Sequence, residues 1–350
     1  MNSFNARPKV AVVFGGKSGE HEISCLTARE VLRTIDRGHY DPTPIGITKS
    51  GAWVLETTDW EDVPGKLPHV RADAPPFSID ELASFDVVFP LLHGPWGEDG
   101  TIQGLCEMLG LRYVGAGVLA SAVGMDKSFT KTLFSAAGLP QLPYVVVHAG
   151  DWEKRRDRIA GRLESLGLPL FVKPARGGSS EGVTLVTSLD QLDEALEKAH
   201  EYDPKVIVES AAVEKRELEC GVIQRPDGSP MASVVGEITV IDSTHEFYDF
   251  EAKYLDGSGL NIVPADITED LSERIRGYAV KAFQAIGGEG LSRVDFFLNG
   301  RELVINEINT MPGFTKYSMF PLLWQASGIE YSELIDRLLA QALNRTTGLR

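Results

Sequence analysis

The sequence predicts an α/β fold in its first third and α+β regions after it, on three observations. Short apolar strands ending in glycine alternate with helix-patterned stretches up to about residue 125, the arrangement of a parallel sheet with crossover helices. From residue 126 to 212 strands and helices mix in a compact order, and from 213 onward strands dominate. The resulting boundaries are 1–125, 126–212 and 213–350, and 350 residues leave room for two or three domains of ordinary size.

KVAVVF (9–14) reads as a buried strand that stops at Gly15-Gly16, and Ala28, Val31, Leu32 and Ile35 mark the apolar stripe of the helix that follows. FDVVFPLLHG (85–94) is a second buried strand. Ile102, Leu105, Cys106 and Leu109 then line one helix face, closed by Gly110. Past Met125 a helix carries Phe129, Leu133 and Phe134. YVVV, a charged helix at 151–166, LPLFVKP, VTLVTS, a helix at 189–200 and VIVES complete the second region. The third begins with ELECGVIQ and MASVVGEITV and ends, after a helix at 269–286, in a hairpin of DFFL and ELVI around Asn299-Gly300. Between them a polar and aromatic connection at 242–262 is long enough to be functional.

A formal charge of −16 argues against nucleic acid as a partner, because no basic surplus exists to neutralise phosphates. The N-terminus lacks the pattern of a signal peptide, and no apolar run spans a bilayer, so a cytoplasmic protein without a membrane partner is expected. Cys25, Cys106 and Cys220 are odd in number and far apart, which predicts buried thiols and no zinc site.

Several stretches carry chemistry. In GGKSGEHEIS the glycines miss the dinucleotide-binding spacing, and Ala11 stands where a P-loop needs glycine. What remains is a turn that delivers Glu22 to a helix start, either to complement the helix dipole or to catch a substrate ammonium. VKPARGGSSEG offers Lys173 and a Gly/Ser loop to phosphate, with a surface hairpin as the plain alternative. Glu209 and Glu217 follow a buried strand, where backbone groups could read adenine and Glu217 the ribose hydroxyls, or both could be solvated charge. FYDFEAKY sets Lys253 and Tyr254 on the long connection, as a lid over phosphates would.

The hairpin is the most specific of these. Asp295, Glu307 and Asn309 interrupt apolar strands, and two carboxylates about 4 Å apart repel by roughly 4 kcal/mol at an effective dielectric near 20. An all-oxygen set of this kind suits Mg²⁺ rather than zinc. A plain two-residue Asn-Gly turn would leave Asp295 on the face opposite Glu307, so the metal reading requires an odd-length turn or a bulge.

These pieces, in this order, resemble the ATP-grasp superfamily and, within it, the D-alanine–D-alanine ligase family. FGGKSGEHEIS, HGPWGEDGTIQG, GMDK, VKPARGGSSEG, EAKY, SRVDFFL and EINTMPGFTKYSMFP carry the resemblance over nearly the whole chain. It implies a three-domain ATP-grasp fold with nucleotide between the second and third domains. Glu22 would hold the ammonium of the first D-alanine beside His93, and Lys127 and Lys173 would contact phosphates. Glu209, Ser210, Ala212 and Glu217 would bind adenine and ribose, with Phe247 near the nucleotide. Lys253 and Tyr254 would close the lid, Tyr254 being linked to Ser179 and Glu22. Asp295, Glu307 and Asn309 would hold two Mg²⁺ (or Mn²⁺), Arg293 and the Gly313 backbone would form an oxyanion hole, and Ser318 and Met319 would seat the second carboxylate.

The implied activity is the ATP-dependent joining of two D-alanines through an acyl phosphate, for peptidoglycan, by a homodimer. Tyr254 goes with the dipeptide-forming type, while D-lactate, D-serine or another amino acid is the rival acceptor. The chain departs from the pattern at Gly19, Glu181 and Lys316-Tyr317. A module that holds ATP without catalysis would lack Arg293 or metal ligands, which this chain retains, and an NAD-dependent dehydrogenase fails on glycine spacing.

Overall fold

KVAVVFG is apolar at every position but its first and forms strand β1 (Lys9–Gly15), buried from Val10 onward. It leads the first of three sheets in the computed structural model, which describes residues 7–57, 67–178, 181–212, 215–240 and 259–348. Helix α1 (His21–Thr34) follows, then β2 (Asp41–Ile47), β3 (Trp53–Leu55), β4 (Val87–Pro90) and α2 (Thr101–Met108). The sheet order is β3-β2-β1-β4, with β2 and β4 parallel to β1 and β3 antiparallel at the edge. The expected parallel core is therefore present with one antiparallel edge strand. Its C-terminal ends, where such sheets bind ligands, carry the Gly15-Gly16 turn and the loop after Pro90.

Strand β2 is unforeseen because DPTPIGI holds two prolines, which demote a strand reading. The amide of Asp41 donates to Pro8 O, and Gly16 N donates to Ile47 O, so the odd-numbered residues face β1. Pro42 and Pro44 alternate with them, and their missing N–H groups fall on the outer side. There β3 pairs only with Ile45, Gly46 and Ile47.

Helices α3 (Val118–Met125) and α4 (Lys127–Ala136) lead out of this unit. Asp126 caps α4, accepting from the amides of Ser128 and Phe129. Next come β5 (Tyr144–His148), α5 (Asp151–Glu164), β6 (Leu170–Pro174), β7 (Thr184–Val186), α6 (Leu192–His200) and β8 (Lys205–Ser210). Their strands form an antiparallel sheet ordered β5-β8-β6-β7. The third sheet takes β9 (Arg216–Gln224), β10 (Pro230–Val240), β11 (Gly259–Ile262), β12 (Leu291–Asn299) and β13 (Glu302–Asn309), in the order β11-β10-β9-β12-β13. Helix α7 (Glu269–Ala285) packs on it through Ile275, Ala279, Ala282 and Phe283. Among the described residues no helix is long and apolar enough to cross a membrane. All three cysteines are buried and unbridged, as expected.

The hairpin resolves the register difficulty. Asn299 pairs with Glu302, so Gly300 and Arg301 are the corners, and Gly300 carries the positive φ of 59° that only glycine adopts cheaply at the first corner. Phe296 faces Ile305, whereas Asp295 faces Glu307. Asn306 is the extra residue of a bulge, which turns Glu307 onto the face of Asp295. The edge beside the bulge is occupied, since Ile305 N donates to Pro140 O at 2.8 Å.

Of the two last helices, α8 (Met319–Ala326) packs on β9 and β10, and α9 (Tyr331–Leu343) runs back onto the first sheet at β4. Leu334, Leu338 and Trp324 share one apolar core with Val10, Val12, Phe14 and Phe89. Phe314 is the centre of this join: its ring lies 6.0 Å from Phe89, 5.9 Å from Phe320 and 5.7 Å from Tyr331. Phe314→Ala should lower stability by about 3–5 kcal/mol, the usual loss for a fully buried aromatic. Urea unfolding checks it, and a change under 1 kcal/mol would contradict the role given to this ring.

Candidate active site

The ends of the first sheet, the Gly-rich loop after β6 and the segment after β13 meet at one cleft. It is lined by Glu20, His93, Gly94 and Glu98, by Gly124, Met125, Lys127, Gly177 and Gly178, and by Arg293 and residues 307–313.

The first turn is rigid for local reasons. Gly15 has φ of 89°, and a Cβ there would sit 2.4 Å from Ile47 O. The hydroxyl of Ser24 accepts from Gly15 N at 2.7 Å and donates to Leu91 O at 2.5 Å, which pins α1 to both neighbouring strand ends. Ser18 Oγ donates to His93 O at 2.8 Å. Glu20, immediately before the helix, is thereby held between two loops. A Cβ on Gly94 would come within 2.9 Å of its Oε2, and one on Gly178 within 3.3 Å of its Oε1.

Glu22, the candidate from sequence, is not among the cleft residues. Two positions further on, it has turned roughly 200° around the helix and pairs with Lys49 at 2.5 Å. Burial would raise its pKa, but the Lys49 ammonium outweighs that and holds the carboxyl below its ordinary value. Glu20 stands in the cleft instead.

His93 is buried, with Nε2 3.2 Å from Thr27 Oγ1 and Nδ1 3.2 Å from Met311 O. Burial lowers its pKa against the opposing pull of Glu20, so the ring is neutral at pH 7. Glu98 joins the first sheet to the last loop, accepting from Gly94 N at 2.8 Å and from Met311 N at 3.3 Å. Burial, and then repulsion from Glu20, push its carboxyl up to about 8.

On the third sheet three carboxylates stand in a row. Asp295 is paired with Glu219 on one side and with Glu307 on the other. Arg293, two residues before Asp295 and on the same face, answers them. It donates from Nε and Nη2 to the two Asp295 oxygens at 2.7 Å each, and its Nε lies 2.9 Å from Glu219 Oε2. Asn309, opposite Arg293, donates to Asp295 Oδ2 at 2.9 Å. Glu307 lies 3.7 Å from Lys127 Nζ, which also donates to Gly177 O at 2.8 Å. The end of this row approaches the start of α8: Gly236 is paired with Glu219, and a Cβ on it would be 2.7 Å from Met319 Sδ. Met319 is therefore packed inward, so that at the helix start it is the backbone of Met319, with Ser318, that could meet an anion. The Ser318 hydroxyl is 2.8 Å from Thr315 Oγ1.

A second charged group lies in the sheet of β5 to β8. The buried Glu209 carboxylate meets Lys173 through one oxygen and Lys131 through the other. Burial alone would raise its pKa, but the two ammonium groups hold it at about 2. Ser210 donates its hydroxyl to Leu166 O at 2.9 Å, and Glu217 lies 3.0 Å from Lys215. Ala212 closes the described part of this edge. Ser179, Phe247, Lys253, Tyr254 and most of the 242–262 connection lie outside the described residues.

The cleft thus gathers His93, Lys127, Arg293, Glu307, Asn309 and Gly313 from the sequence candidates, with Asp295 directly behind Arg293. Sequence reasoning missed Glu20, Glu98, Lys131 and Glu219. A signal existed for Glu219, a carboxylate inside the apolar run LECGVI. The departures at Gly19 and Glu181 are neighbours, since a Cβ on Gly19 would come 3.1 Å from Glu181 Oε1. Lys316 lies 3.6 Å from Glu30, away from the cleft residues.

Comparison with known proteins agrees in full length. The family descriptions "D-ala D-ala ligase N-terminus" and "D-ala D-ala ligase C-terminus" match residues 9–116 and 133–340. The chain is 50% identical to a D-alanine–D-alanine ligase of Paenarthrobacter aurescens, over 98% of this chain and 97% of that one. It is 52% identical to one of Mycolicibacterium gilvum, over 99% and 100%. Among solved structures, D-alanyl-alanine synthetase A of Vibrio cholerae is similar with a TM-score of 0.81 at 31% identity, covering 97% of this chain and 99% of that one. The VanG D-Ala:D-Ser ligase of Enterococcus faecalis is similar with a TM-score of 0.80 at 34% identity, covering 96% and 99%.

The Glu209 group makes a pH prediction. With a folded value of about 2 against an ordinary 4.5, its contribution is complete above about pH 4.5 and is lost as pH falls toward 2. Glu209→Gln should therefore lower stability by about 3–5 kcal/mol at pH 7, and the gap from wild type should close on acidification. Denaturant unfolding at several pH values reads this; a gap constant from pH 7 to pH 3 would refute it.

Proposed function

The chain belongs to the D-alanine–D-alanine ligase family, and on that premise we propose that it joins two D-alanine molecules with ATP. The products are D-alanyl-D-alanine, ADP and phosphate, for peptidoglycan. The observation that carries this reading is one cleft holding a carboxylate (Glu20), a guanidinium (Arg293) and oxygen donors (Glu307, Asn309), in a chain matched end to end.

In this reading residues 1–125 hold the first D-alanine, and ATP lies between 126–212 and 213–350, under a lid formed by 242–262. Glu20, rather than Glu22, accepts hydrogen bonds from the first ammonium, beside a neutral His93. A carboxylate oxygen of that D-alanine attacks the γ-phosphorus, and ADP leaves with the bonding pair. Lys127 and Lys173 meet the phosphates, with Lys253 from the lid. Glu209 and the Ser210–Ala212 backbone take adenine, Glu217 the ribose, and Phe247 the nucleotide's flank. The second D-alanine, its carboxylate at the Ser318–Met319 helix start, attacks the acyl carbon through its amine, and phosphate departs. Arg293, aimed by Asp295 and Glu219, and the Gly313 N–H stabilise the oxyanion. Tyr254, linked to Ser179, closes the site against water, which would hydrolyse the acyl phosphate.

No cluster of three His, Cys, Asp or Glu able to hold a metal exists among the described residues, and the residues that would hold one are Asp295, Glu307 and the amide oxygen of Asn309. Their oxygens fit a hard cation, and two Mg²⁺ (or Mn²⁺) held there would supply charge neutralisation at the phosphates. A cytoplasmic homodimer completes the reading.

The D-Ala:D-Ser ligase of similar fold keeps a second reading open, the same chemistry with D-serine or D-lactate as acceptor. Phosphate release with D-alanine as the only amino acid decides: turnover with D-alanyl-D-alanine as product is expected, and turnover only when D-serine or D-lactate is added would replace the main reading with the second. Glu20→Gln should lower kcat/KM for D-alanine roughly tenfold to a hundredfold, while Glu22→Gln should stay within a few-fold; the reverse order would restore Glu22. Asp295→Asn and Glu307→Gln should each abolish ligation, and wild-type turnover in either at saturating Mg²⁺ would remove the metal assignment.

A further inference from the structure

Lys131 is among the most deeply buried charges in the molecule and has no part in the reaction as described. Its side chain, 3% exposed, rises from α4 beneath the ring of Tyr144, with Nζ 5.5 Å from the ring centroid, and ends on Glu209 Oε1. The helix that carries it is fixed by its Asp126 cap, and Lys131 O accepts from Gln141 Nε2 at 2.8 Å. Lys173, on the other carboxylate oxygen, is 16% exposed and stands four residues before Gly177 of the cleft. Two ammonium groups therefore meet one carboxylate, a buried surplus of positive charge.

That surplus has a use in an enzyme that must move one lysine. If Lys173 alone balanced Glu209, turning it toward a phosphate would strand a buried carboxylate, which is strongly disfavoured. With Lys131 permanently beside it, Glu209 keeps a counter-ion when Lys173 departs. Lys131 occupies one acceptor position of Oε1, and a carboxylate oxygen has room for two donors. A second N–H donor can take the remaining position.

We propose that Lys131 is a positioning residue for the nucleotide: as the fixed counter-ion of Glu209 it releases Lys173 to the phosphates and keeps Glu209 an ionised acceptor for the exocyclic amine of adenine. The inference rests on the ATP-dependent ligase reading above. Lys131 touches neither nucleotide nor amino acid; it acts through the other two residues.

The test compares ATP with ITP, which carries an oxygen in place of that amine. Lys131→Met should raise KM for ATP roughly tenfold to a hundredfold, the loss of one hydrogen bond to a charged group. KM for D-alanine should stay near wild type, the ATP-over-ITP preference should shrink, and Lys131→Arg should recover most of the ATP affinity. An unchanged KM for ATP overturns the proposal. So does a parallel loss for ATP, ITP and D-alanine, which marks a purely structural lysine. A structure of the wild-type protein with ADP gives a reading independent of any variant: Lys173 is expected on phosphate with Lys131 still on Glu209, and the opposite exchange overturns the proposal. Absence of any ATP-dependent turnover in the wild type would instead defeat the ligase reading itself.

Discussion

Like charges on directly opposed strands repel, and the third sheet sets three of them side by side: Glu219, Asp295 and Glu307. Much of the site follows from how that row is tolerated. Arg293, two residues along the same strand, binds both Asp295 oxygens with one guanidinium and still reaches Glu219. Gly236 has to be small, because α8 closes over the end of the row. Lys127 approaches Glu307 from another region of the chain, so the row also draws the second region toward the third. An acidic row is unfavourable for folding by itself, and Arg293 and Lys127 offset it here.

The row exists only because of a bulge. In regular pairing from the Gly300-Arg301 corners, Asp295 would face Asn306, and Glu307 would point to the other side of the sheet among Ile305 and its core neighbours. One extra residue converts a hairpin that buries a carboxylate into one that displays it. The bulge in turn needs its edge covered, and the loop at Pro140 supplies the acceptor for Ile305 N. That same loop's Gln141 holds the backbone of Lys131. The acidic row and the Lys131–Glu209–Lys173 group are thus mechanically connected through a single short turn.

Legibility in the sequence followed this physics. Apolar strands bounded by glycine, and helices with a clear stripe, were readable because burial writes them directly: β1, β4, α1, α7 and the hairpin all lie where the pattern sets them. The demand for a bulge or odd turn was readable too, since the period of two allows no other way to bring Asp295 and Glu307 to one face. Strand β2 was hidden by its prolines, whose harmless orientation depends on which neighbour is missing. Glu20 was hidden by Glu22, since choosing between them requires the residue at which α1 begins. Lys131 was invisible for a different reason. A lysine on a helix is solvated by default, and only the contacts of Lys131 with the Tyr144 ring and Glu209 reveal that this one is enclosed.

The two charged groups also have opposite sign. Among the described residues the row sets three carboxylates against Arg293 and Lys127, whereas Glu209 meets two lysines. The two groups therefore present local charge of opposite sign on two different sheets. A chain with a net charge of −16 repels anions at long range, where salt screens most of the effect. Around Glu209, within a few ångströms and away from bulk water, the local surplus at Lys131 and Lys173 governs instead. The overall charge and the local groups therefore act at different distances: the first is a screened repulsion of polyanions at long range, and the second is felt only within a few ångströms.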